Sequence, residues 1–431
     1  MSRVGFADET RIEILMTSDE TLLRKVRSKS SLVKAWMRIR ANGMQSESIR
    51  TKRDIEIFSE KSDLNLSRLY RSLLQGDFAF SKAKGVPLRR PGKTARPIVI
   101  ASVKDRIVQR SILDVLQGIP AVSEYINIPT SFGGLENRGT KQAFATLASL
   151  IKSENLQYFA KSDIKDFFRG IPKETVISKI KHLIGDHQKF LDFLRSAVDV
   201  ELENINRLGS LAHLFPSKSI GVAQGCSLSP LFGNILLHDF DIQLNGRGIV
   251  CLRYIDDFVI LGKELSSVRK AYRNALQYLQ QHGLSAHEPS PRDHKASEGS
   301  ISSGFEFLGC KIVPGLITPN EKSKHRLLDN IRARVDQSKR HLPYCHTNKD
   351  PTLSFCNTII DINRSIFNWA NQYSFCNDNQ SFYTMQKEIN AIVRDYISFF
   401  RSTIKASNET KLFRSIGLNL LIDSNYDPIK W

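Results

Sequence analysis

Apolar residues recur at helical intervals early in the chain. In "TLLRKVRSKSSLVKAWMRIR", Leu22, Leu23 and Val26, then Leu32, Val33 and Trp36, predict helices with basic outer faces. Gly43 predicts a stop, and Gly76 closes a further pattern, "LSRLYRSLLQ". The period changes over residues 78–100, where short β-type runs flank "RRPGKTARP" and predict a hairpin with a basic tip. "SVKDRIVQRSILDVLQ" is helical again, with Val103, Ile107 and Ile112 on one side. "LQYFAKSDIKDFF" reads as a strand running into a polar turn, and "GIPKETVISKIKHLI" as a helix with a proline near its start. "GVAQGCSLSPLFGNILLHDFDIQL" is a glycine-rich loop leading into a helix. "GIVCLRYIDDFVILG" reads as two strands meeting at paired aspartates, and "FEFLGCKIVPGLITP" as strand and turn. From about residue 321 the pattern is helical. Ile359, Ile362, Ile366, Trp369 and Tyr373 share one face, as do Met385, Ile389, Ile392, Tyr396 and Phe400; such stripes predict a helical bundle.

Composition narrows the partners. With 431 residues, 41% of them hydrophobic, the chain is long enough for two or three packed units. Lys and Arg outnumber Asp and Glu by 62 to 44, a net charge of +18. That excess points to a polyanion, nucleic acid before membrane. In "KSKHRLLDNIRARVDQSKR", Lys322, Lys324, Arg332, Arg334, Lys339 and Arg340 are candidates to line a duplex channel, or form a solvated helix face. Cys226, Cys251, Cys310, Cys345, Cys356 and Cys376 form no CxxC pair, and no Cys/His cluster has zinc-finger spacing. Reduced thiols, a start without a signal-peptide core and no run of about 18 apolar residues make a cytoplasmic protein without a membrane partner the expectation.

The chemistry lies in "YIDD". Burying Asp256 and Asp257 side by side in an apolar strand pair is costly unless a cation neutralises them. Hard oxygen ligands suit Mg²⁺. Asp163, at the end of another predicted strand in "KSDIKDFF", is the candidate third carboxylate. Three such groups could clamp two metals on a phosphoryl transfer. A hairpin with exposed aspartates is the competing reading of "YIDD" alone.

Order decides between them. Basic "PGKTARPIV" and "KDRIVQ" are followed by "SFGGLENRGTKQAF", "SDIKDFF", "GVAQGCSLSPLFGNILL", "YIDD" and "FEFLG". This ordered set resembles the reverse transcriptases, in the bacterial branch similar to group II intron enzymes, over roughly residues 65 to 315. The resemblance implies an α+β, right-hand polymerase fold with fingers, an antiparallel four-stranded palm sheet and a helical thumb. The expected division is a helical extension over 1–75, fingers over 76–155, palm over 156–320 and thumb over 321–431. It implies RNA-directed DNA synthesis with two Mg²⁺ ions (Mn²⁺ substituting), an RNA template, deoxynucleoside triphosphates and a DNA product. Asp163, Asp256 and Asp257 are then the catalytic carboxylates, with Ile164 joining them in the metal set. Phe168, five residues after Asp163, falls at the family's sugar gate. Gln224 and Gly225 match the loop beneath the nascent base pair, although a plain helix-start turn is the other reading. Arg96, with Arg89 beside it, matches the basic grip on the triphosphate; solvated tip charges are the alternative. Tyr254 joins the substrate-binding set, "FEFLG" matches the primer grip, and Lys295 the lysine that protonates pyrophosphate. "SAHEPSPRDHKASEG" departs from the family spacing before that lysine.

Other departures bear on biology. Pro314 in "VPGLI" stands where retron enzymes carry threonine, and no RNase H-like carboxylate set or HNH-type cluster follows the thumb, so no attached endonuclease is expected. The nearest resemblance left is to stand-alone bacterial reverse transcriptases of phage defence, which often work with a dedicated non-coding RNA. The alternatives are a template-independent or protein-primed DNA polymerase of the same fold, and an RNA-binding, splicing-assistance protein. A homo-oligomer is compatible with either.

Overall fold

Residues 19–46, 48–90, 93–290, 295–345, 351–405, 407–418 and 420 are described by the structure, a computed structural model. The chain divides after Gly299 into two units. In the first, the basic N-terminal pattern folds as α1 (Asp19–Val26), α2 (Lys29–Met44), α3 (Ile49–Glu60) and α4 (Ser62–Gln75). The Ser28 hydroxyl accepts from the Ser31 amide at 3.2 Å and starts α2. Leu32, Ala35, Trp36 and Ile39 bury its inner face, whereas Val33 is 37% exposed, against expectation. The stop expected at Gly43 is met to within a residue, since α2 ends at Met44, but Gly43 is not its cap. It sits inside the last turn, where an added Cβ would lie 2.6 Å from Ile55 Cγ1 of α3; the glycine permits helix contact there. Gly76 does end α4, in the left-handed conformation at φ 78°.

β1 (Lys84–Arg90) and β2 (Lys93–Ile100) form the expected antiparallel hairpin, with Lys84 opposite Ile100 and Leu88 opposite Arg96. Its tip, Pro91 and Gly92, lies outside the described residues. α5 (Val103–Gln117) starts at Ser102, whose hydroxyl accepts from the Asp105 amide, and buries Ile107, Val108, Ile112 and Leu116.

β3 (Ser131–Phe132), β4 (Tyr158–Asp163), β5 (Ile249–Tyr254), β6 (Asp257–Gly262) and β7 (Ser297–Ser300) form one sheet in the order β3-β5-β6-β4-β7. β6 runs antiparallel to both β4 and β5. The short β3 joins β5 in parallel, so the sheet has five strands and is not purely antiparallel. Phe258, Val259, Ile260 and Leu261 of β6 are all fully buried, as a strand covered on both faces requires. α6 (Phe167–Gly170), α7 (Lys173–Ile184), α8 (Ser229–Leu236), α9 (His238–Gln243) and α10 (Leu265–Gln281) supply residues to the same core. Pro172 stands just before the first residue of α7 as its N-cap.

The second unit opens with an antiparallel meander of β8 (Phe305–Phe307), β9 (Cys310–Val313) and β10 (Leu316–Pro319). α11 (Glu321–His341), α12 (Phe355–Gln372) and α13 (Asn379–Ile404) follow. Leu327, Leu328, Ile331 and Val335 of α11 pack with Ile362, Met385, Ile389 and Tyr396; Ile359, Ile366, Trp369, Ile392 and Phe400 close the edges of this core. The expected bundle is therefore present, and the fold is α+β. All six cysteines are free thiols. Among the described residues no helix is long and apolar enough to cross a membrane.

Candidate active site

Strand register assembles the carboxylates. Asp163, the last residue of β4, is the Cα partner of Asp257, the first of β6. On the other side Tyr254, the last residue of β5, also pairs with Asp257. Ile255 and Asp256 thus form a two-residue hairpin loop. The Ile164 amide donates to the Asp256 carbonyl at 2.9 Å and ties this turn to the end of β4. Ile255 has φ 59°, a value that a β-branched residue adopts only under constraint. The turn lies over Gly133, where an added Cβ would sit 2.6 Å from Ile255 Cγ1 and 3.2 Å from Tyr254 Cε1.

The charges are under tension. Burial pushes the Asp257 carboxyl up to about 7, and Asp256 and Asp163 push in the same direction; Lys161 and Lys295 oppose them. Burial also raises Asp256, against its own backbone hydrogen bond and the charges of Arg96 and Lys295. Lys295 Nζ stands 3.0 Å from Asp163 Oδ2 and 3.0 Å from His287 Nε2. His287 Nε2 is 3.6 Å from Asp163 Oδ1, which is buried without a hydrogen-bond partner.

Among the described residues, no group of three His, Cys, Asp or Glu side chains converges tightly enough to hold a metal ion. The donor chemistry nevertheless fits a hard divalent ion: three carboxylates at two strand ends and the adjoining turn, one with an orphaned buried oxygen, and the other two raised first by burial and then by neighbouring carboxylate charge. Ile164 has only its backbone oxygen to offer such an ion.

Asp166, at φ 47°, turns the chain from β4 into α6 and separates two phenylalanines. Phe167 is core; it packs where a Cβ on Gly233 would lie 2.7 Å from its Cε1. Phe168 is half-buried, and its carbonyl accepts from the Val222 amide at 2.8 Å. The glycine-rich loop continues from there to β2, where the Val99 amide donates to the Gln224 carbonyl at 2.9 Å. Gly225, at φ 120°, has no room for a side chain: its Cβ would meet Val99 O at 2.5 Å. Arg96, three residues before Val99, is exposed and bears electrostatically on Asp256. Arg89 is exposed on β1 beside a register irregularity between Leu88 and Arg90. The structure therefore groups Asp163, Ile164, Tyr254, Asp256, Asp257 and Lys295 at one end of the sheet. Phe168, Gln224, Gly225 and Arg96 belong to a chain of contacts leading to it, and Arg89 stands outside both.

Sequence reasoning missed the support beneath the turn. Arg253 is fully buried and forms an ion pair with Asp241, which is buried too. Asn234, Ser131 and the Ile255 carbonyl take its other donors. A charged residue between Leu252 and Tyr254 in an apolar strand was the available signal, since a buried guanidinium requires a partner.

Comparison with known proteins identifies the family. An uncharacterized 91 kDa protein in the cob intron of Schizosaccharomyces pombe is 26% identical over 176 residues, 41% of this chain and 20% of that protein. The group II intron-encoded protein LtrA of Lactococcus lactis is 27% identical over 186 residues, 42% of this chain and 28% of LtrA. The chain thus spans about a fifth to just over a quarter of the length of these relatives. Apo telomerase from Candida tropicalis overlays at a TM-score of 0.41 with 14% identity, over 78% of this chain and 63% of that one. Residues 88–312, just over half of the chain, match the family described as reverse transcriptase (RNA-dependent DNA polymerase), and the chain belongs to that family.

Proposed function

We propose that this chain is an RNA-directed DNA polymerase that joins deoxynucleoside triphosphates to a 3′ hydroxyl. The observation that carries this reading is the register that sets Asp163 opposite Asp257 with Asp256 in the adjoining turn, in a chain of the reverse transcriptase family. Asp163, Asp256, Asp257 and the backbone of Ile164 would hold Mg²⁺, with Mn²⁺ able to substitute. Bound there, the ions supply activation of the hydroxyl and charge stabilisation at the phosphates.

The protein groups have separate tasks in this reading. Arg96 grips the triphosphate, with Arg89 as a second basic contact at the hairpin. Gln224 and Gly225 present backbone beneath the nascent base pair, which only a side chain-free residue permits at such close approach. Phe168 fills the space beside the sugar, and Tyr254 lines the substrate side of the turn. Lys295, held on Asp163 at 3.0 Å, is within reach of the centre to protonate departing pyrophosphate. The template we propose is a cognate non-coding RNA, and the setting phage defence; similarity of the motif set to stand-alone bacterial reverse transcriptases supports that part.

Primer extension with the purified chain, a defined RNA template and deoxynucleoside triphosphates tests the activity. Sequenced product complementary to the RNA is the expected result. DNA unrelated to any RNA present would favour template-independent or protein-primed synthesis. Absence of synthesis with either divalent ion would overturn the enzyme reading. Sequencing nucleic acid that co-purifies from cells would identify the template.

A further inference from the structure

The loop that carries Asp256 has the wrong residue for its shape. Between Tyr254 and Asp257 it contains two residues, and only the first, Ile255, has positive φ, the sign pattern of a type II′ hairpin turn. Glycine is the usual occupant of that position. A β-branched residue there opposes its own backbone, and such a conformation persists only where the surroundings over-determine it. A flip of the peptide between Ile255 and Asp256 would leave the φ of Ile255 positive but carry the turn from type II′ to type I′, whose left-handed helical conformation is less costly for a residue with a side chain, and would swing the Asp256 carboxylate away from Asp163 and Asp257.

Two hydrogen bonds hold the flanking peptides, and a third opposes the flip itself. The Ile255 amide donates to the Phe132 carbonyl at 3.0 Å, and the Asp256 carbonyl accepts from Ile164 at 2.9 Å. The third falls on the peptide in question: Arg253 Nη1 donates to the Ile255 carbonyl at 2.9 Å. The guanidinium is itself rigid. Nε and Nη2 form a fork on Asp241 at 2.8 and 2.5 Å, Nη1 also reaches Asn234 Oδ1 at 3.0 Å, and Nη2 reaches Ser131 Oγ at 2.6 Å. All five N–H donors of the side chain are therefore engaged. Asn234 in turn donates to the Gly133 carbonyl at 3.0 Å, directly under the turn.

We infer that Arg253 is a positioning residue for the catalytic turn: anchored by Asp241, Asn234 and Ser131, it clamps the Ile255 carbonyl and so fixes the Asp256 carboxylate for ion binding. This rests on the reading of Asp163, Asp256 and Asp257 as the catalytic centre. A plain core ion pair would need only the Arg253–Asp241 fork, whereas this guanidinium spends a donor on the strained peptide. A lysine would keep the charge facing Asp241 but cannot reproduce the planar fork and the carbonyl contact together.

The test is a double-mutant cycle on the full chain. Arg253→Lys, Ile255→Gly and the double variant are compared by Mn²⁺ affinity, read from the spin resonance of free Mn²⁺, and by kcat, deoxynucleotide KM and Tm. Arg253→Lys is expected to weaken Mn²⁺ binding and lower kcat about 10- to 100-fold, with KM held within about twofold. With glycine at 255 the turn needs no clamp, so the same change should cost less than about threefold. Should the lysine variant fail to fold, Ser131→Ala, which removes one anchor, is expected to shift both readouts in the same direction by less, and again only with isoleucine at 255. Unchanged Mn²⁺ affinity in the folded variants overturns the inference. So does an equal loss in both backgrounds, which would make the network general packing. Asp256→Asn distinguishes failure of the underlying reading: normal synthesis by that variant removes the catalytic centre itself, whatever Arg253 does.

Discussion

Asp163 and Asp257 face each other as Cα partners across the β4–β6 ladder, at the strand ends nearest the turn that holds Asp256. Neighbouring antiparallel strands lie about 5 Å apart, so the carboxylates sense each other's charge through a poorly screened interior. This placement is costly for the folded chain, and the cost is what motivates the proposed cation.

Replacing Asp163 or Asp256 by asparagine keeps the shape and removes the charge. We expect DNA synthesis to fall by about 10³-fold or more, while Tm holds or rises. Asp163→Asn also removes the ion pair to Lys295, which is 50% exposed at its side chain; a pair of that exposure contributes at most about 1 kcal/mol. Nucleotide incorporation beside a melting curve checks this, and near-normal incorporation by either variant removes the metal-site assignment.

Asp257 gives a pH dependence whose sign is fixed. In the folded chain without divalent ions its carboxyl holds a proton up to about 7, whereas the unfolded carboxyl releases it near 3.8. The folded state binds the extra proton between these values, so the contribution to stability is greatest below 3.8 and is lost as pH rises toward 7. The whole effect is on the order of a few kcal/mol. Denaturant midpoints in EDTA should fall between pH 5 and pH 8 in the wild type, and fall distinctly less in Asp257→Asn. Equal slopes in the two proteins would remove burial of Asp257 as the cause.

Gly225 packs the glycine-rich loop against β2 of the β1–β2 hairpin. A methyl group there meets the Val99 carbonyl at 2.5 Å, and the residue's φ of 120° is strained for any L side chain. The atoms it would meet are the backbone of Val99, which leaves nothing flexible to move. Gly225→Ala should break the Val99–Gln224 bond, raise deoxynucleotide KM and lower kcat, together about 10²-fold in kcat/KM. Mn²⁺ affinity should stay within about twofold, because the carboxylates are untouched. Loss of Mn²⁺ affinity instead would place the loop in the metal site.

RNA binding should be strongly salt-dependent, but unevenly across α11. Lys324 is paired with Glu321, Arg332 with Asp329, Arg334 with Asp361 and Lys339 with Asp395. Lys322 and Arg340 are exposed and take part in none of the described ion pairs. Each released phosphate contact lowers the log–log salt slope by about 0.7 to 0.9. Lys322→Ala and Arg340→Ala should each show that loss, and Lys324→Ala a smaller one, since its charge is already partly neutralised. Filter binding across a salt series decides it, and a flat dependence in the wild type would exclude an electrostatic channel.

How much of this was legible depended on the range of the interaction. The YIDD hairpin could be read because β-branched and aromatic residues flank two aspartates over 10 positions, and local pattern sets local structure. Phe168 was singled out over Phe167 by the family spacing alone, and the burial of Phe167 came only from the structure. Gly43 marked the helix end, but its contact with Ile55 is something periodicity cannot show. The Arg253–Asp241 pair and the Val99–Gln224 bond join segments that only tertiary packing brings together, and no spacing rule announces them. Lys295 reaches Asp163 across 132 positions; it was named only because the motif order resembled a family.

Phe168 carries the sharpest expectation. In "SDIKDFFRG" the chain leaves β4 at Asp163, turns at Asp166 and sends Phe167 into the core against Gly233, so Phe168 is left half-buried beside the loop of Val222 to Gly225. An aromatic ring there offers volume and no hydrogen-bond acceptor. A ribose 2′-hydroxyl brought against it would clash and lose its hydration without compensation. Such a gate works by rejecting the larger, more polar sugar. Phe168→Ala should therefore admit ribonucleotides, lowering the deoxy-over-ribo preference by about 10²-fold, while retaining part of the deoxynucleotide activity. Phe167→Ala should instead cost about 3–5 kcal/mol of stability, as loss of a buried phenylalanine does, with the sugar preference unchanged in whatever fraction folds. Single-nucleotide extension with matched deoxy- and ribonucleoside triphosphates separates the two. If Phe168→Ala keeps the wild-type preference, the gate lies elsewhere; if the wild type already uses both sugars equally, the chain is not a dedicated DNA polymerase.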